Sequence, residues 1–374
     1  MNLDMQGMEM QVKGTDHPDR VPSRWHPTGK RRDLLRRFTP TPYSVELLVM
    51  TRTVRLETNS LNVIESALGF FARHQGRAPN AAEFLWRIIS QEDSQKEQAG
   101  IALSAFSDRG LRFTNIGQRS FLAVDLEARE GIGFVAETLV EPQPKLNCRP
   151  FFDTLFCMSA GSLGMLPLSA ACVGKGEKGL LIFGPPDSGK TTASYLAATS
   201  ELEFHADQAV FLEIKAGKLR VWGDLLPAIF RPESLQFLPE LRVSTRRFSY
   251  PGLTVHYLPK HSFQTARAHP VSPVCSVFLS RVNNSETHLA PIVPTELLHR
   301  FEEYVLFKDD DRFQQQTSAI LRALGELPAY DLTYASDPAI AAQCVGQMLM
   351  TDQDNAGNRQ AGRIADQSQN SRGK

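Results

Sequence analysis

The chain has 374 residues, 42% hydrophobic and 22% charged, with 41 basic and 41 acidic side chains. That length favours two folded units over one core, and the neutral charge balance argues against a general nucleic-acid or membrane-surface binder. Five scattered cysteines, Cys148, Cys157, Cys172, Cys275 and Cys344, show neither a CxxC pair nor the Cys/His spacing of a zinc site. An odd count without such spacing fits a reducing compartment rather than a disulfide framework. The polar N-terminus lacks the apolar stretch of a signal peptide and no run of about 18 apolar residues occurs, so the expected location is the cytoplasm.

In chain order, residues 1–40 are polar and proline-punctuated, with the basic cluster Lys30-Arg31-Arg32 followed by Arg36-Arg37, and are expected to form a mobile arm. A small α+β domain is expected over 41–150. It opens with an alternating strand from Tyr43 to Glu57 and a helix from Leu61 to His74, on which Leu61, Ile64, Leu68 and Phe71 share a face. Strand patterns follow at 111–114, 121–126 and 133–139. The segment from Pro142 to Pro150 reads as a connector, which places the domain boundary there.

An α/β domain is expected over 151–350. It begins with a helix from Phe151 to Met165, whose Phe151, Phe152 and Phe156 have the spacing of core residues. Strands at 168–173 and 180–183 lead to a helix over 191–199. The stretch 203–206 is followed by strands at 209–214 and 219–222, whose short joint Lys215-Ala-Gly-Lys218 marks a β-hairpin. Strands at 254–258 and 274–279 and helices near 295–307, 312–325 and 338–350 complete the unit. The polar tail from Thr351 is expected to be disordered.

The chemistry centres on Gly184-Pro-Pro-Asp-Ser-Gly-Lys-Thr191, which fits G-x-x-x-x-G-K-[ST] between an apolar strand and a helix. Gly184 and Gly189 permit close backbone approach, so that N–H groups from Asp187 and Ser188 onward converge on phosphate oxygens. Pro185 and Pro186 have no N–H to give. Lys190 supplies a charge to the outer phosphates and Thr191 a hydroxyl to Mg²⁺. Thr192 lies in the first helical turn, whose positive dipole end faces the anion. A nucleoside triphosphate with Mg²⁺ is therefore the expected ligand. Asp207 leads directly into the antiparallel hairpin, a layout that departs from RecA-like and G-protein-like NTPases.

These residues resemble the HPr kinase/phosphorylase family, whose fold is similar to the nucleotide-binding core of phosphoenolpyruvate carboxykinase. The resemblance runs over Leu168 to Val173, Gly179 to Thr192 and His205-Ala-Asp-Gln-Ala-Val-Phe-Leu212, with a weaker echo at Leu327 to Pro338. It implies a P-loop kinase domain with a mixed sheet. Lys190 and Thr191 match the family's phosphate and magnesium residues. Asp207 matches the first Asp of its Asp-Asp pair and is the expected catalytic carboxylate and second metal ligand. Gln208 stands at the second Asp and Ser169 at the family histidine, which points away from phosphorylase activity. His205 is a candidate replacement imidazole, and Arg231 and Arg281 are candidates to stabilise transferred charge. The resemblance implies a serine kinase acting on a protein, peptide or small-molecule phosphoacceptor, with homo-oligomerisation possible in such a family. The alternative is an ATP-binding regulatory protein with impaired catalysis.

Overall fold

Along the chain, strands and helices alternate in two separate blocks. The computed structural model describes residues 39–71, 81–91, 105–108, 110–116, 120–140, 149–200, 202–223, 228–241, 246–250, 253–257, 269–282, 287–307, 314–335 and 337–350. The expectations for the arm at 1–38, the connector core at 141–148 and the tail from 351 lie outside these residues. Two compact units are present, one formed by the described residues up to Leu163 and the other by those from Gly164 onward.

The first unit is a seven-stranded mixed sheet, ordered β1-β2-β3-β7-β6-β5-β4. Its strands are β1 (Tyr43–Val49), β2 (Arg52–Thr58), β3 (Phe84–Gln91), β4 (Ala105–Asp108), β5 (Leu111–Asn115), β6 (Phe121–Asp125) and β7 (Glu130–Ala136). The single strand expected over 43–57 is a hairpin. Met50 and Thr51 turn it at φ 55° and 99°, a conformation that hairpin turns usually assign to Gly or Asn, so no turn residue marked it. Helix α1 (Leu61–Phe70) crosses between the parallel strands β2 and β3.

Helix α2 (Arg149–Ser159) was expected to open the second unit, and it belongs to the first. Phe152 packs on Phe70 and Phe71, the Trp86 indole donates to Ser159 Oγ at 3.0 Å, and Arg112 donates to the Met158 carbonyl at 2.8 Å. The boundary therefore falls after Leu163, not at Pro150. A proline-rich stretch is a poor guide where the next helix supplies the apolar lid of the preceding sheet. Phe151, Phe152 and Phe156 are all buried core residues, as their spacing indicates.

The second unit is built on a six-stranded sheet. Its strands are β9 (Ala171–Lys175), β10 (Lys178–Phe183), β11 (Glu203–Ala206), β17 (Ser272–Arg281), β18 (His288–Pro291) and β19 (Ala329–Tyr334), in the order β11-β9-β10-β17-β19-β18. The central strands β10, β17 and β19 are parallel and the outer pairings antiparallel. Alternation along β10 divides its side chains between two cores. Leu180 and Ile182 face helices α3 (Lys190–Ser200) and α6 (338–350). Leu181 and Phe183 face the other way, toward helices α4 (Pro294–Glu302) and α5 (Gln314–Gly325) and a three-stranded sheet. That sheet holds β8 (Leu166–Leu168), β12 (Val210–Lys215) and β13 (Lys218–Gly223) in the order β13-β12-β8. A strand buried on both faces reads as a continuous apolar run, as Gly179 to Phe183 does.

The strand expected at 168–173 is split, because β8 joins β12 in one sheet while β9 joins β10 and β11 in another. Ser169 lies at the break, with its N–H on the Tyr304 carbonyl. The expected hairpin is present, and Ala216 and Gly217 turn it at φ 51° and 72°. A third sheet, ordered β14-β16-β15, comprises β14 (Ile229–Phe230), β15 (Arg246–Tyr250) and β16 (Leu253–Tyr257).

Candidate functional site

Topology gathers the chemistry at one edge of the six-stranded sheet. The parallel strands β10, β17 and β19 all end there, at Phe183, Arg281 and Tyr334, and β11 runs in the same sense and ends at Ala206. Loops at the carboxyl ends of such strands are where ligand sites form in open α/β sheets. The residues that follow β10 and β11 are the Gly184–Thr191 loop and Asp207. Pro186, Asp187, Gly189, Lys190 and Thr191 of the loop and Asp207 line one cleft of about 710 Å³, together with Ser169, Gln208, Arg231, Phe237, Arg281 and Tyr334.

The loop keeps a tight path. Gly184 and Gly189 have φ of 151° and 88°, and Asp187 has φ of 67°, a region that Asp tolerates better than most side chains. The Ser188 N–H reaches the Pro185 carbonyl at 3.2 Å, and the Ala193 N–H on Gly189 O at 2.8 Å begins α3. The N–H groups of Lys190, Thr191 and Thr192 therefore fall in the first helical turn, which has no preceding carbonyls of its own to use. Lys190 Nζ folds back on the loop, donating to Gly184 O at 2.6 Å and Pro185 O at 2.9 Å. Burial lowers the Lys190 pKa from its ordinary value, and the carboxylates of Asp187 and Asp207 oppose that shift. Both carboxylates thus lie within electrostatic reach of the ammonium.

Asp207 is 1% exposed, and its Oδ2 accepts the Ile229 N–H at 3.0 Å, which joins the end of β11 to β14. Arg231, just past β14, bridges the cleft to Asp187 at 2.8 Å. Asp187 therefore shapes the loop and also holds an arginine. Arg281 stacks on the Phe237 ring at 5.6 Å. Of the residues singled out from the sequence, Asp187, Gly189, Lys190, Thr191, Thr192, Asp207, Arg231 and Arg281 are brought together in the cleft. Gly184 and Ser188 support the loop from behind, where a Cβ on Gly184 would meet Ser188 Oγ at 2.5 Å.

His205 is the correction. The pairing of β11 with β9 shifts register between Phe204 and Ala206, and this irregularity turns the imidazole out of the cleft although it stands only two residues before Asp207. It lies 3.6 Å from the Glu203 carboxylate, over Gly174 and edge-on to His269. Tyr334 and Phe237 were not found by motif reading. Tyr334 ends β19 at the same sheet edge, a relation that only strand order reveals. Its hydroxyl donates to Ser188 O at 2.8 Å, and burial raises its pKa while Arg281 opposes the rise.

Thr191 and Asp207 offer hard oxygen donors, and the first turn of α3 offers N–H groups. This donor set suits a polyphosphate with Mg²⁺, an ion usually held by one or two protein oxygens together with phosphate and water. Among the described residues no cluster of three His, Cys, Asp or Glu side chains forms a self-sufficient metal site. Cys157, Cys172 and Cys275 are buried.

Fold and cleft together define a mixed α/β protein with a strand–loop–helix at the centre of one sheet and acidic and basic side chains gathered at its edge. No family model and no curated protein matches the chain. Among solved structures it is similar to the Hpr(Ser) kinase/phosphatase from Coxiella burnetii, with 12% identity and a TM-score of 0.28 over 53% of this chain and 97% of that chain, a distant structural relationship. Among the described residues no helix is long and apolar enough to cross a membrane.

Proposed function

We propose that the second unit is an ATP-dependent, HPr-kinase-like serine kinase, transferring the γ-phosphoryl group to a hydroxyl of a protein, peptide or small-molecule acceptor. The observation that carries this reading is the meeting of Lys190, Thr191, Asp207 and Arg231 in one cleft at the N-terminus of α3. Phosphoryl transfer asks mainly for positioning and charge neutralisation, and these residues are of the kinds required. The loop N–H groups and the helix terminus bind the phosphates. Lys190 leaves its own loop carbonyls for phosphate oxygens of higher charge. Thr191 and Asp207 would hold Mg²⁺, which would supply neutralisation of phosphate charge. In this reading Asp207 accepts the acceptor's proton, and Arg231, exchanging Asp187 for the transferred group, stabilises the charge that builds there.

Gln208 favours a second reading. It lines the cleft beside Asp207, and an amide cannot act as a base, so an ATP-binding regulatory protein without transfer is the alternative. Transfer of labelled phosphate from Mg·ATP to acceptor peptides, proteins and metabolites, compared between the parent and Asp207→Ala, separates the two. Nucleotide binding with no transfer to any acceptor would sink the kinase reading.

A further inference from the structure

We infer that Tyr334 is a positioning residue for the phosphate-binding loop, an inference that rests on the nucleotide-binding reading above. Its phenol is 1% exposed and ends the strand two places from β10 in the sheet. The hydroxyl donates to Ser188 O at 2.8 Å. In a trans peptide the carbonyl of one residue and the N–H of the next point in opposite directions. Holding Ser188 O on Tyr334 therefore turns the Gly189 N–H away from β19, and Gly189 itself lines the cleft.

The same hydroxyl occupies the space where a Cβ on residue 189 would stand, so glycine is required there by a close approach as well as by its φ of 88°. A tyrosine 145 positions further along the chain thus fixes one peptide plane of the loop and the identity of its second glycine. Pro185 and Pro186 remove two N–H groups from the first half of the loop, which leaves anion binding to the second half, where Tyr334 acts. The chemical class concerned is the polyphosphate of the nucleotide and not its base. Burial raises the phenol pKa, so the donor keeps its proton at neutral pH.

Tyr334→Phe keeps the ring and removes only the donor. Calorimetric titration of the full chain with Mg·ATP, inorganic pyrophosphate and adenosine tests the inference, with thermal unfolding as a check on the fold. The expected result is a five- to tenfold loss of affinity for both ATP and pyrophosphate, about the worth of one hydrogen bond, with adenosine binding unchanged. A general structural role would weaken adenosine along with the phosphates. Equal loss for all three ligands, or no loss for any, overturns the inference while leaving nucleotide binding in place. A parent protein that binds neither ATP nor pyrophosphate overturns the nucleotide reading and the inference together.

Discussion

Replacing Gly189 by alanine should be among the more damaging single-methyl changes in the second unit, and the structure says how it can be relieved. A φ of 88° costs a non-glycine residue about 1–2 kcal/mol. The new Cβ would also overlap the Tyr334 hydroxyl. Swinging that hydroxyl aside breaks its bond to Ser188 O and strands a buried phenol, so the whole change should cost about 3–5 kcal/mol. In a Tyr334→Phe background the nearest atom is the ring carbon at 3.4 Å, an ordinary contact, and only the backbone cost of about 1–2 kcal/mol is left. The two substitutions should therefore couple by at least about 1 kcal/mol. Urea unfolding read by hydrogen exchange in peptides from 164–350 confines the measurement to the unit concerned, since a two-unit chain need not unfold in one step. Costs that add to within about 0.5 kcal/mol would refute the contact.

Asp207→Asn keeps an acceptor for the Ile229 N–H, so stability should change by less than about 1 kcal/mol, whereas phosphate transfer should fall at least about a hundredfold. The same change removes a carboxylate that supports the Lys190 charge, so the lysine pKa should drop further, as amine-selective labelling across pH would show. Burial raises the phenols of Tyr195, Tyr304 and Tyr334, so above the ordinary tyrosine value of 10.0 the folded state holds more protons than the unfolded one. Their contribution is complete below that pH and declines above it, and Tyr334→Phe should make the fall in unfolding temperature with alkaline pH shallower. Lys190 acts in the opposite sense, because its lowered pKa carries a penalty that fades as pH rises toward 10.5. Phe183→Ala should cost about 3–5 kcal/mol in a urea titration, because the ring is fully buried against Phe278, Phe301 and Tyr304.

The sequence by itself determined the strand–loop–helix around Gly184 to Thr191, the hairpin after Asp207 and most of the helices of the second unit. These depend on contacts within a few residues: glycine at a tight turn, an apolar run, three- and four-residue spacing. It also supplied most of the cleft, because the loop residues and Asp207 follow strand ends that local pattern could read. Tertiary structure decided what depends on partners distant in the chain. Met50 and Thr51 turn a hairpin without turn residues because the flanking strands pair, and Phe152 joins the first unit because Phe70 and Phe71 are there to receive it. His205 and Asp207 are two residues apart, yet sheet packing sends the imidazole to Glu203 and leaves the carboxylate in the cleft. Tyr334 reaches Ser188 only because β17 lies between β10 and β19, and strand order is a property of the assembled sheet that no local spacing encodes.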